Sequence, residues 1–117
     1  YTTMAILSTE TKANATVVTI TEKRLDAKVA VAFKEEMAAL INSGITLIIL
    51  DLSGVGFVDS SGLGAIVTSL KLLGRKGDLL VSGVKNDVMT MFTLTRMDRV
   101  FQMFPSAEDA LKSLEGK

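Results

Sequence analysis

The chain contains neither cysteine nor histidine. Disulfide scaffolds, thiol catalysis, a Ser-His-Asp triad and the common zinc sites each lose a necessary member. The missing cysteines fit a reducing compartment. Neither sign of charge predominates: 13 basic residues stand against 13 acidic ones. No field therefore draws nucleic acid or an acidic membrane surface. Cutting the chain after Ser60 leaves a slight acidic excess before the cut and a slight basic excess after it. No apolar run approaches the ~20 residues that span a bilayer. No basic segment followed by an apolar core marks a signal peptide. The expected setting is the cytoplasm, with no metal, cofactor, membrane or nucleic acid.

What is present suits one domain. The 117 residues are 48% apolar, enough for a core without disulfides or a metal. That domain is expected over residues 4–117. Tyr1-Thr2-Thr3, ahead of Met4, read as a remnant without function.

The hydrophobic pattern alternates between strand and helix. "TVVTITE", Thr16 to Glu22, alternates and is β-branched, which predicts a strand; Ala5 to Thr9 supplies a shorter one pairing with it. Asp26 stands at a helix N-cap, and Val29, Phe33, Met37, Leu40 and Ile41 follow at helical spacing up to a stop at Gly44. "TLIILDL", Thr46 to Leu52, is continuously apolar, as in a strand covered on both faces. Leu63, Ile66, Val67, Leu70 and Leu73 form a second helical stripe ending near Gly74 to Gly77, and "DLLVSG", Asp78 to Gly83, is another buried strand. Asn86 is expected to cap a third helix reaching about Thr95, followed by a short strand at Val100 to Met103. Ser106 and Asp109 have capping-box spacing for a last helix to Leu114. This order implies right-handed crossovers and a mixed, mainly parallel sheet. The predicted fold is a compact α/β sandwich of about four to five strands, with about four helices mostly on one face.

In such sheets, sites gather beyond the carboxyl ends of the strands. There the chain reads "FVDSSGLGAIV", Phe57 to Val67. One helix cap suffices, yet Asp59, Ser60 and Ser61 offer three. Gly62 and Gly64 are poor helix formers, each about 0.8–1 kcal/mol worse than Ala, although glycine lets another surface approach closely. Capping alone is one reading. A phosphate loop is a weak one, because the glycine spacing is wrong and Asp59 would repel an anion. A serine nucleophile lacks both its elbow motif and a histidine base. A phosphate acceptor is the last reading: phosphoserine adds roughly −1.5 to −2 charges, tolerated at a helix N-terminus by roughly 0.3–1 kcal/mol. These considerations do not choose between Ser60 and Ser61.

"LIILDLSGVGFVDSSGLGAIV" resembles the signature of STAS domains, and of the stand-alone bacterial anti-sigma factor antagonists among them. "TEKRLDA" resembles that family's second strand and the loop into its first helix, and the segment from Leu80 to Leu111 its last strands and helices. The resemblance implies a regulator rather than an enzyme, a monomer when free. Its unphosphorylated form would bind a kinase-type anti-sigma factor and release the sigma factor. Ser60 falls on the phosphorylated serine, and a PP2C-type phosphatase would restore binding. Ser61 is left as a support, a cap or a satisfied first-turn hydroxyl. Asp26 and Asp59 match acids at the binding corner; for Asp26, capping is an equal alternative. Gly62, Leu63 and Gly64 match an exposed first turn presented to the partner. The sequence departs from the family at Arg96-Met97, where Gly-Leu is common. Met89, Met91, Met97 and Met103 read either as core or as a soft partner surface. The other output this fold admits is an adaptor in a different partner-switching pathway, such as biofilm, motility or secretion.

Overall fold

In the computed structural model, which describes residues 2–3 and 5–115, β1 (Thr2–Thr3) pairs antiparallel with β2 (Leu7–Lys12), and β2 with β3 (Ala15–Ile20). The β2–β3 ladder is unbroken from the Leu7–Ile20 pair to the Lys12–Ala15 pair. The strand expected at Ala5 to Thr9 is thus β2, and it lies further along. Its exposed polar end, Glu10 to Lys12, has no hydrophobic signal and is placed by its hairpin pairing with β3. At its start, the Glu36 carboxylate accepts the amides of Ile6 and Leu7 at 3.1 and 3.2 Å, fixing where the chain enters the sheet.

Three parallel strands complete the sheet: β5 (Leu47–Asp51), β7 (Asp78–Ser82) and β8 (Met103–Phe104). The spatial order is β1-β2-β3-β5-β7-β8, with parallel pairing from β3 onward. The five strands from β2 to β8 are the expected mixed, mainly parallel sheet, and β1 adds a two-residue pairing along its edge. A separate two-residue parallel pair joins β4 (Arg24–Leu25) to β6 (Phe57–Val58).

Helices α1 (Ala27–Asn42), α2 (Ser60–Leu73) and α3 (Asn86–Leu94) cover one face, and α4 (Ala107–Leu114) covers part of the other. Residue alternation explains the division. Ile48, Leu50, Leu79 and Val81 point into the larger core with Phe33, Met37, Ile66 and Phe92, whereas Ile49 and Leu80 meet Ala110. Burial on both faces is why β5 and β7 read as continuous apolar runs. Fully buried side chains such as Phe33 each contribute roughly 1.5–3 kcal/mol.

Besides the β2 shift, β3 ends at Ile20 rather than Glu22, and boundaries near the C-terminus differ from the sequence expectation as well. Asn86 is the first residue inside α3 rather than its cap: the ladder starts at the Lys85 carbonyl, which accepts from Met89 N at 2.7 Å. The last short strand is Met103–Phe104 rather than Val100 to Met103. Met97–Arg99 forms a 3-10 turn, and Phe101 turns inward to meet Phe92 edge-on at 6.3 Å, so the chain aligns with β7 only at Met103. Ser106 caps α4 as expected, accepting from Asp109 N at 3.1 Å. The methionines named above are half-buried and pack against the larger core.

Candidate functional site

The β4–β6 pair builds the corner. Its register sets Arg24 opposite Phe57 and Leu25 opposite Val58, so the next residue on each strand, Asp26 and Asp59, lies at the same level. Each is extended, and each caps the helix that follows it. Two helix N-termini therefore emerge side by side.

Asp26 Oδ1 accepts the amides of Lys28 and Val29 at 3.1 and 3.3 Å, and its Oδ2 accepts Arg24 Nε at 3.3 Å. Partial loss of water pushes its carboxyl up. The Arg24 hydrogen bond, the Val29 amide, the Arg24 charge and the Lys28 amide outweigh this and hold the pKa below the ordinary carboxylate value. The capping reading of Asp26 is thereby realised in the structure.

Asp59 serves both helices. Its Oδ1 accepts Gly62 N at 2.9 Å, capping α2, and its Oδ2 accepts Ala27 N at 3.3 Å, from the first residue of α1. One carboxylate thus satisfies orphan donors on two elements.

This bears directly on the two serines. Ser60 is the first residue of α2 and Ser61 the second; both are exposed, and neither hydroxyl has a hydrogen-bond partner among the described residues. The expectation that Ser61 acts as a cap or a satisfied first-turn hydroxyl is corrected: Asp59 performs the capping, so Ser61 has no cap to make. Ser60 faces the groove described next, whereas Ser61 lies about 100° further round the helix.

The first turn is also less exposed than expected. Gly62 and Leu63 are buried. A Cβ on Gly62 would sit 2.0 Å from the Leu25 carbonyl oxygen, so this glycine is required by the contact between α2 and β4. Gly64 is exposed, and a Cβ there would meet nothing within 4 Å. Beyond it runs a groove of about 390 Å³, lined by Ser60, Leu63, Gly64, Val67 and Lys71 on α2 and by Met91 and Met97 opposite.

Arg24 and Phe57 belong to the corner although the sequence reading did not single them out. The guanidinium carbon lies 4.1 Å from the centre of the Phe57 ring, which is 40% exposed. Their juxtaposition depends on a two-residue ladder between segments more than thirty positions apart, a register with no local signature.

The corner offers exposed hydroxyls, capped helix ends and an apolar groove. Among the described residues no group of three or more His, Cys, Asp or Glu could hold a metal, and no helix is long and apolar enough to cross a membrane.

A sequence profile of the family described as STAS domain matches residues 7–110. A Thermotoga neapolitana protein named as a candidate anti-sigma factor antagonist is 29% identical over 103 residues, which cover 86% of this chain and 91% of the relative. A crystal structure from Thermotoga maritima, also of a candidate anti-sigma factor antagonist, superposes with a TM-score of 0.83 at 25% identity, covering 94% of this chain and 95% of that one. The Bacillus cell fate determinant SpoIIAA in its phosphorylated form gives a TM-score of 0.71 at 19% identity, covering 93% and 99%, and so shares the fold.

Proposed function

The chain belongs to the STAS domain family, and from that premise we propose that it is an anti-sigma factor antagonist switched by phosphorylation of Ser60. The unphosphorylated form binds a kinase-type anti-sigma factor at the corner formed by Asp26, Asp59 and the start of α2, freeing the sigma factor. The bound kinase then transfers the γ-phosphoryl group of ATP to Ser60 Oγ. The new P–O bond replaces the hydroxyl O–H, whose proton passes to a base on the kinase, and ADP leaves. A PP2C-type phosphatase hydrolyses the phosphoester and restores the binding form.

The observation that carries this reading is the free hydroxyl of Ser60 at the first position of a helix already capped by Asp59. A phosphoryl group there displaces no hydrogen bond of the fold. It adds roughly −1.5 to −2 charges beside Asp59, so the partner meets a surface with a different charge on an unchanged scaffold. The names of the relatives support the sigma-factor setting.

The test is incubation with ATP and the cognate kinase, followed by mapping of the phosphosite by mass spectrometry. One phosphoryl group on Ser60, absent from Ser60→Ala, is expected. Full phosphorylation of Ser60→Ala overturns the assignment.

A further inference from the structure

We propose that the groove between α2 and the Met91–Met97 segment seats a segment of the protein partner, with an aliphatic side chain over Gly64 and a neighbouring carboxylate on Lys71. This rests on the partner-binding reading of the Ser60 corner and names the chemistry of what docks beside it.

The groove runs along a single stripe of α2. Ser60, Gly64, Val67 and Lys71 are spaced four, three and four residues apart and share one face over about 16 Å of helix. Leu63 and Val67 supply apolar surface on this side, and Met91 and Met97 supply it on the other. Methionine adapts its shape to an incoming side chain. Leu94, one turn beyond Met91, is 79% exposed and extends the apolar surface outward.

Gly64 points to an occupant. Glycine weakens a helix interior, and nothing in the fold requires it here, since an added Cβ meets no atom within 4 Å. Gly62, two residues earlier, is required by its contact with Leu25. The fold explains one glycine and not the other. A surface that approaches α2 closely at Gly64 explains the second.

Charge selects the occupant. Lys71 is exposed and has no ion pair among the described residues, and no carboxylate lines the groove. A second copy of the chain using the same patch would set lysine against lysine. A partner segment carrying an aspartate or glutamate beside an aliphatic residue matches both features.

The test uses the full chain in the cells it comes from, with a photo-crosslinking p-benzoylphenylalanine at Thr68 on the groove wall or at Val31 on the outer side of α1. The expected result is an adduct from position 68 but not from 31. Mass spectrometry of the adduct should identify a partner peptide with an aliphatic residue within one helical turn of an acid. Gly64→Leu, which fills the groove, should lower adduct yield at least tenfold while the protein stays folded, and Lys71→Glu at least fivefold. Gly64→Ala should give a smaller loss together with a more stable protein. No adduct, an adduct with a second copy, equal yield from position 31, or yield unaffected by Gly64→Leu each overturns the proposal. Ser60→Asp separates the two readings. An adduct that survives Ser60→Asp but not Gly64→Leu would refute the charge switch and leave the groove standing. The reverse would refute the groove and leave the switch standing.

Discussion

Asp59 Oδ2 accepts the backbone amide of Ala27 at 3.3 Å while Oδ1 of the same carboxylate caps α2 at Gly62. The acid preceding the paired serines is therefore a clasp between the two helices that form the corner, and the serines beside it are left with free hydroxyls. This division of labour has a measurable consequence. Asp59→Ala should destabilise the protein by roughly 1–2 kcal/mol, the upper part of the range for losing an N-cap. Ser60→Ala and Ser61→Ala should each stay within about 0.5 kcal/mol of the parent. Urea denaturation of the three variants checks this, and a Ser61→Ala loss equal to that of Asp59→Ala would return the capping role to Ser61.

The two glycines of the first turn should respond in opposite directions. Gly62→Ala drives a methyl group into the Leu25 carbonyl and should cost about 1–3 kcal/mol, as overpacking does. Gly64→Ala adds a methyl group in open space and should stabilise by up to about 1 kcal/mol. Denaturation midpoints of the two variants would decide it, and destabilisation by both would show that Gly64 is also needed by the fold.

Asp26 predicts a dependence on pH. Its folded-state pKa lies below the ordinary value near 3.8, chiefly because the Arg24 hydrogen bond and the Val29 amide outweigh the loss of water. A depressed carboxylate contributes stability above its unfolded pKa and loses that contribution as the pH falls through the folded value. The parent should thus exceed Asp26→Asn in stability at pH 7, with the gap closing below about pH 3.8. Raised salt should narrow the gap as well, since the pair with Arg24 is exposed. A gap that widens in acid would contradict the Arg24 assignment.

Arg96 occupies the left-handed region with φ 64, between α3 and the 3-10 turn. Glycine adopts that conformation without strain, whereas other residues are roughly 1–2 kcal/mol worse there. Arg96→Gly should raise stability by roughly 1 kcal/mol, measured by thermal unfolding. Because Met97 lines the groove, a shift in partner affinity without a shift in stability would instead locate the role of Arg96 at the interface.

The parts of this fold that were legible in the sequence are those with local causes. Asp26 and Ser106 announced helix starts because an N-cap is a bond within three residues, and both make it. The run from Thr46 to Leu52 announced a strand buried on both sides because three helices cover one face and α4 the other. Asn86 misled because its side chain suits a cap, while Lys85 holds the cap position and makes no side-chain cap bond. The start of β2 was hidden because Glu36, some thirty residues away, fixes it. At the site, the hexapeptide from Asp59 to Gly64 marked the corner, and Asp59 was seen as one of three caps. Its second bond, to Ala27, and the stacking of Arg24 on Phe57 arise only when β4 and β6 pair. The groove was hidden for the same reason, since its far wall comes from another helix.

The most direct measurement compares the affinity of the kinase-type partner for the unmodified protein and for the protein phosphorylated stoichiometrically at Ser60, by isothermal titration calorimetry. Binding should weaken at least tenfold on phosphorylation, with the thermal unfolding of the free protein unchanged. Equal affinity for the two forms would contradict the charge switch at Ser60.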